Sequence, residues 1–115
     1  MTHQAPPSPA PAGPDPGRRV AQLREALRLV ERIAGQGAPQ DQRLDEAARI
    51  SSAYDTALPI VQRRFEALAG ETSIWAAAGV EALLAAGEAD PPRAAAARLA
   101  RRLDAALSEM AALLR

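Results

Sequence analysis

Beyond residue 17, apolar side chains recur every three or four positions in three sustained runs. Val20, Leu23, Leu27, Val30 and Ala34 form the first. Leu44, Ala47, Ser51, Tyr54, Leu58, Val61, Phe65 and Leu68 form the second, and Ala96, Leu99, Leu103, Ala106, Met110 and Leu113 the third. Spacing of this kind lays side chains along one stripe of an α-helix. A neighbouring row widens each stripe: Ile33 in the first, Ile50, Ala57 and Ile60 in the second, Ala100, Leu107 and Leu114 in the third. That width suits a globular bundle better than a two-stranded coiled coil.

The residues between the runs agree. Gly35, Gly37 and Pro39 close the first helix, because glycine serves a left-handed C-cap and proline cannot continue the hydrogen-bond ladder. Asp41 is a suitable N-cap for the second. Gly70, followed by Thr72 and Ser73, reads as a stop and a fresh cap, and Asp90-Pro91-Pro92 as an N-cap with proline at the first helical position. The sequence thus predicts an all-α fold, a small antiparallel four-helix bundle with helices near 18–35, 41–69, 73–87 and 91–114. Pro59 falls inside the second helix. Leu58, Val61, Phe65 and Leu68 keep the phase of the residues before it, so a kink is expected there rather than a loop. The third segment is small and apolar almost all round, with Glu81 as the one charge between Ile74 and Ala86. Burial is therefore expected for it, and its Ala78, Ala82, Ala86 row would let another helix lie close.

Residues 1–17 read differently, with six Pro, three Ala and two Gly. Proline at this density blocks both helix and sheet, which predicts a disordered tail ahead of a bundle domain at 18–115. Pro6-x-x-Pro9 and Pro11-x-x-Pro14 match a proline-motif ligand formally, and a plain spacer is the simpler reading. The tail lacks the basic start and apolar run of a signal peptide.

Composition removes most chemistry. Of 115 residues 29 are Ala and 14 are Arg, with no Lys and no Cys, a bias that reads as coding from a GC-rich bacterial genome. Without Cys there is no disulfide, thiolate nucleophile or Cys-held metal. The single histidine, His3, lies in the tail, which excludes a Ser-His-Asp relay and a histidine-rich metal site. Neither the phosphate loop G-x-x-x-x-G-K-[ST] nor the zinc motif H-E-x-x-H occurs. No catalytic, cofactor-binding or metal-ligating residue is expected. Within 18–115 the longest uncharged stretch is Thr72 to Val80, far short of the ~20 apolar residues of a membrane span.

The formal charge is zero, but it is unevenly placed. Residues 18–35 carry five Arg against two Glu, and 91–115 carry five Arg against two acids, whereas 41–71 and 72–90 are net acidic. Basic outer helices complementing acidic inner ones is the first reading. The alternative is a nucleic-acid-associated protein whose Arg24, Arg28 and Arg32 on one helix face, with Arg98 and Arg102 on another, track phosphates. No DNA-binding motif accompanies them, so nucleic acid is not the expected partner. The expected function is that of a non-enzymatic, cytoplasmic interaction or adaptor protein with a protein partner. A second copy is one candidate, with the homodimer contact placed at Trp75, Ala78 and Ala82. A third possibility is an enzyme pocket near Tyr54, Pro59 and Trp75.

Overall fold

A computed structural model describes residues 15–36, 45–86 and 92–115. They form four helices, α1 (Pro16–Ile33), α2 (Glu46–Thr56), α3 (Pro59–Ala85) and α4 (Arg93–Leu113), and no strand occurs among the described residues. The expected all-α, four-helix architecture is what the chain adopts. His3 and both proline motifs lie outside the described residues. So do the turn and cap assignments at Gly37, Pro39, Asp41, Asp90 and Pro91.

α1 starts inside the stretch assigned to the tail. Asp15 caps it by accepting the Arg18 N–H at 3.2 Å, and Pro16 opens the first turn, where its missing donor costs nothing. At the other end Gly35 is the stop that was expected. It sits at φ +77°, its N–H donates to the Arg32 carbonyl at 3.0 Å, and the Gln36 N–H donates to that of Glu31 at 2.9 Å. This is a Schellman ending, and its positive φ favours glycine.

The middle of the chain departs from expectation at two points. Pro59 breaks the helix instead of kinking it: Ala57 (ψ 155°) and Leu58 (ψ 148°) are extended, and Pro59 becomes the first residue of α3. Steric clash between a proline ring and the preceding residue drives that residue out of the helical region, and here it also frees α2 to turn away. The apparent continuity of phase was misleading, since Leu58 is 68% exposed while Phe65 is fully buried. Conversely, no break occurs at Gly70–Ser73. The Ser73 hydroxyl donates to the Ala69 carbonyl one turn back at 2.8 Å, so it serves the helix interior and not a cap. A mid-helix glycine costs only about 1 kcal/mol. One continuous rod that buries Phe65, Ala69, Thr72, Ala76 and Leu83 outweighs that cost.

α1 lies against all three other helices, and α3 also packs on α4, while α2 rests mainly on α1. The core is built from Val20, Leu23, Leu27 and Val30 of α1, the buried row of α3, and Ala96, Ala100, Leu103, Ala106, Leu107 and Met110 of α4. Alanine and glycine bring α3 and α4 close: a Cβ on Gly79 would stand 2.7 Å from a Leu99 methyl. Thr72 is the one buried polar side chain in this core, and its hydroxyl has no hydrogen-bond partner among the described residues. An unsatisfied buried hydroxyl is unfavourable by about 1–3 kcal/mol. Thr72→Val keeps the shape and is expected to raise stability by about 1 kcal/mol in urea denaturation. A loss of stability would show that the hydroxyl has a partner.

Candidate functional site

The best-connected polar cluster joins the start of α1 to α2. Ser51 Oγ donates to Asp15 Oδ2 at 2.7 Å and accepts the buried Gly17 N–H at 3.2 Å. A hydroxyl on what the spacing reads as an apolar stripe thus ties two helices together. Its bond holds the Asp15 carboxyl below its usual value of 3.8, helped by the N–H groups of Arg18 and Gly17. A depressed carboxylate stabilises the fold fully above its unfolded pKa, and that contribution fades as pH falls through the lower folded value. The Tm gap between wild type and Asp15→Ala is therefore expected to be widest near neutrality and to narrow below about pH 4. A gap that widened on acidification would contradict the Asp15–Ser51 bond.

The arginines of the phosphate reading are largely engaged within the chain. Arg24 makes a two-pronged contact with Glu46 of α2, at 3.2 and 3.1 Å, and lies 3.9 Å from Asp104 of α4. Arg28 pairs with Glu25 at 2.8 Å, and Arg102 lies over the Trp75 ring at 4.0 Å from its centroid. Arg32 and Arg98 are exposed. Arg19 likewise reaches Glu66 of α3 at 2.8 Å. Arg24 and Arg19 of basic α1 thus meet acids of α2 and α3, the complement the charge pattern suggested, whereas the Asp104 contact lies on α4, the other basic helix.

Tyr54 packs edge-on against Phe65, with ring centroids 5.7 Å apart. Burial raises its phenol pKa above 10.0, and hydrogen bonding to Glu66 raises it further. It does not share a pocket with Trp75. Trp75 lies sixteen positions along a continuous helix from Pro59, about 24 Å at 1.5 Å per residue. A depression of about 290 Å³ does lie between α2 and the end of α4, lined by apolar Ile50, Ala53, Ala111 and Leu114 and by charged Glu46, Arg49 and Arg115. Glu46 is held by Arg24, and Arg49 sits 3.4 Å from Asp45. No group of three metal-ligating side chains occurs among the described residues.

The surface that stands out is the outer side of α3. The segment from Ile74 to Ala86 was expected to be buried, yet Ile74 is 74% exposed and Leu84 61%, and Ile60, expected on the apolar stripe of the second segment, is 49% exposed. Of the three proposed contact residues, Ala78 and Ala82 are exposed beside this side, whereas Trp75 is half-buried against the core beneath Arg102. The sequence places Ile60 on the apolar stripe of its second segment and Ile74 and Leu84 in its third, because it reads as divided at Gly70. The signal was present as a seven-residue repeat, Ile60, Ala67, Ile74.

Comparison with protein-family models, curated proteins and solved structures finds no match for this chain. No helix among the described residues is long and apolar enough to cross a membrane.

Proposed function

We propose that this is a non-enzymatic helical interaction or adaptor protein that engages a protein partner through the outer side of α3. The observation carrying this reading is that three large apolar side chains, Ile60, Ile74 and Leu84, are left in water on the outer side of one helix. Single exposed apolar residues are ordinary; three of them on the outer side of a 27-residue helix are the pattern of a surface awaiting a partner. The engagement of Arg24, Arg28 and Arg102 within the chain supports ranking a protein partner above phosphate tracking.

Site-specific photo-crosslinking tests this. With p-benzoylphenylalanine in place of Ile74, a discrete protein adduct is expected in cells that naturally make the protein. The same group in place of Arg98 on α4 should give none. A nuclease-sensitive adduct at position 98, with nothing at 74, would favour the nucleic-acid alternative and overturn the proposal.

A further inference from the structure

The outer side of α3 has an internal order that points to one particular partner. Ile60, Ala67, Ile74 and Glu81 recur at intervals of seven, and Arg63, Gly70, Ala77 and Leu84 follow three positions behind. Alternating steps of three and four keep these residues on one seam. Successive helix positions turn by about 100°, so each seam residue points nearly opposite the residue two places on. Arg63, Ala67, Gly70, Ile74 and Glu81 are thereby backed by Phe65, Ala69, Thr72, Ala76 and Leu83, all buried. Between Arg63 and Glu81 the seam faces away from the core, and Ile60 and Leu84 at its two ends are themselves exposed.

Gly70 gives the seam its second peculiarity. A Cβ there would meet nothing within 4 Å, so the chain's own packing does not require glycine at this point. Glycine in mid-helix is unfavourable by about 1 kcal/mol relative to alanine. It leaves a notch on the seam, four residues from Ile74, the most exposed large apolar side chain among the described residues.

We propose that this seam pairs with the same seam of a second copy of the chain, the two α3 helices running antiparallel about a two-fold axis at the level of Thr72. The proposal rests on the reading of α3 as a docking face and names its occupant. Reversing the helix about Thr72 sets Ile60 against Leu84 of the second copy, Arg63 against Glu81, Ala67 against Ala77, and the Ile74 side chain into the Gly70 notch. A two-fold axis makes every such pairing occur twice. Arg63 and Glu81 are exposed, and among the described residues neither has an ion-pair partner within its own chain. A parallel pairing in register would instead oppose Arg63 to Arg63, Glu81 to Glu81 and notch to notch. Charge and shape therefore both select the antiparallel arrangement. Its centre passes through Ile74 and Gly70, with Ala78 at the margin and Trp75 outside.

Sedimentation of the full chain tests the pairing through charge reversal. Wild type is expected to be dimeric at about 100 µM, a concentration at which even weak self-association is populated. Arg63→Glu and Glu81→Arg each place like charges together twice, and each alone is expected to weaken the dimer at least roughly tenfold. Mixed in equal amounts the two variants regain opposite charges at both positions, and the dimer returns. Both substitutions are on the surface, so unchanged circular dichroism separates lost pairing from lost folding. The absence of cysteine allows the direction to be read directly. Ala67→Cys and Ala77→Cys should form a disulfide with each other on mixing under oxidation, and neither should link to itself. Wild type that stays monomeric at about 1 mM, failure of the mixed charge variants to reassociate, or self-linked Ala67→Cys overturns the pairing. A monomeric wild type that still crosslinks a different protein at position 74 removes the second copy but keeps the docking face. Absence of both removes both.

Discussion

Phe65→Ala is expected to remove about 3–5 kcal/mol of stability, the range for deleting a fully buried phenylalanine. Phe65 has no exposed surface, and it carries the edge-on contact with Tyr54 that seats α2 against the start of α3. A small domain has only about 5–15 kcal/mol in total, so the variant should be largely unfolded at ordinary temperature or melt more than about 12 °C lower. Ile74→Ala, on the same helix but in water, is the control and should change stability by less than about 0.5 kcal/mol in the monomer. Equal losses for the two would mean that α3 is rotated from the orientation described.

Gly17→Ala is expected to cost about 2 kcal/mol, whereas Gly70→Ala should stabilise the monomer by up to about 1 kcal/mol. The same added methyl meets opposite surroundings. At Gly17 its carbon would be driven into the Ala47 carbonyl oxygen and to 2.5 Å from Ser51 Oγ, and a backbone oxygen cannot swing aside. The N-terminal turn of α1 would have to lift from α2, breaking the Gly17–Ser51 hydrogen bond as it went. At Gly70 the space is open and only the backbone freedom of glycine is removed. Urea titrations of both variants decide the matter. A Gly17→Ala protein as stable as wild type would show that the two helices do not approach this closely.

How much of this was legible beforehand differs by element. Val20, Leu23, Leu27 and Val30 were identified from spacing alone and are all buried, as are Ala96, Leu103, Ala106 and Met110 of α4. These helices have a single apolar stripe, a polar remainder and few internal breakers, so periodicity has one solution. The middle of the chain offered two competing signals. A proline with the phase maintained across it suggested continuity, and a glycine followed by Thr-Ser suggested a stop; the structure reverses both. Local residue preference was decisive at Pro59, where a regular helix interior would cost about 3 kcal/mol, and was overridden at Gly70, where about 1 kcal/mol was at stake against burial of a whole helix face. The misplaced boundary also hid the exposed seam, because a repeat of seven cannot be recognised across a division drawn through it. Nor could spacing reveal that Ser51 reaches Asp15, since that contact joins residues 36 apart.

The isolation of α2 bears on how the molecule opens. α2 contributes one buried side chain, Ile50, and is bordered by the extended pair Ala57–Leu58. Most of the buried core comes from the other three helices, and α2 joins it through Ile50 and the Tyr54 ring. Two levels of stability follow. Amide exchange in α2 should proceed through partial opening at a free energy below that of global unfolding, while the Leu27, Phe65 and Leu103 neighbourhood exchanges only when the whole chain unfolds. Each such opening separates Glu46 from Arg24 and uncovers the flank of α1, giving the protein a second, transient surface that its closed form conceals.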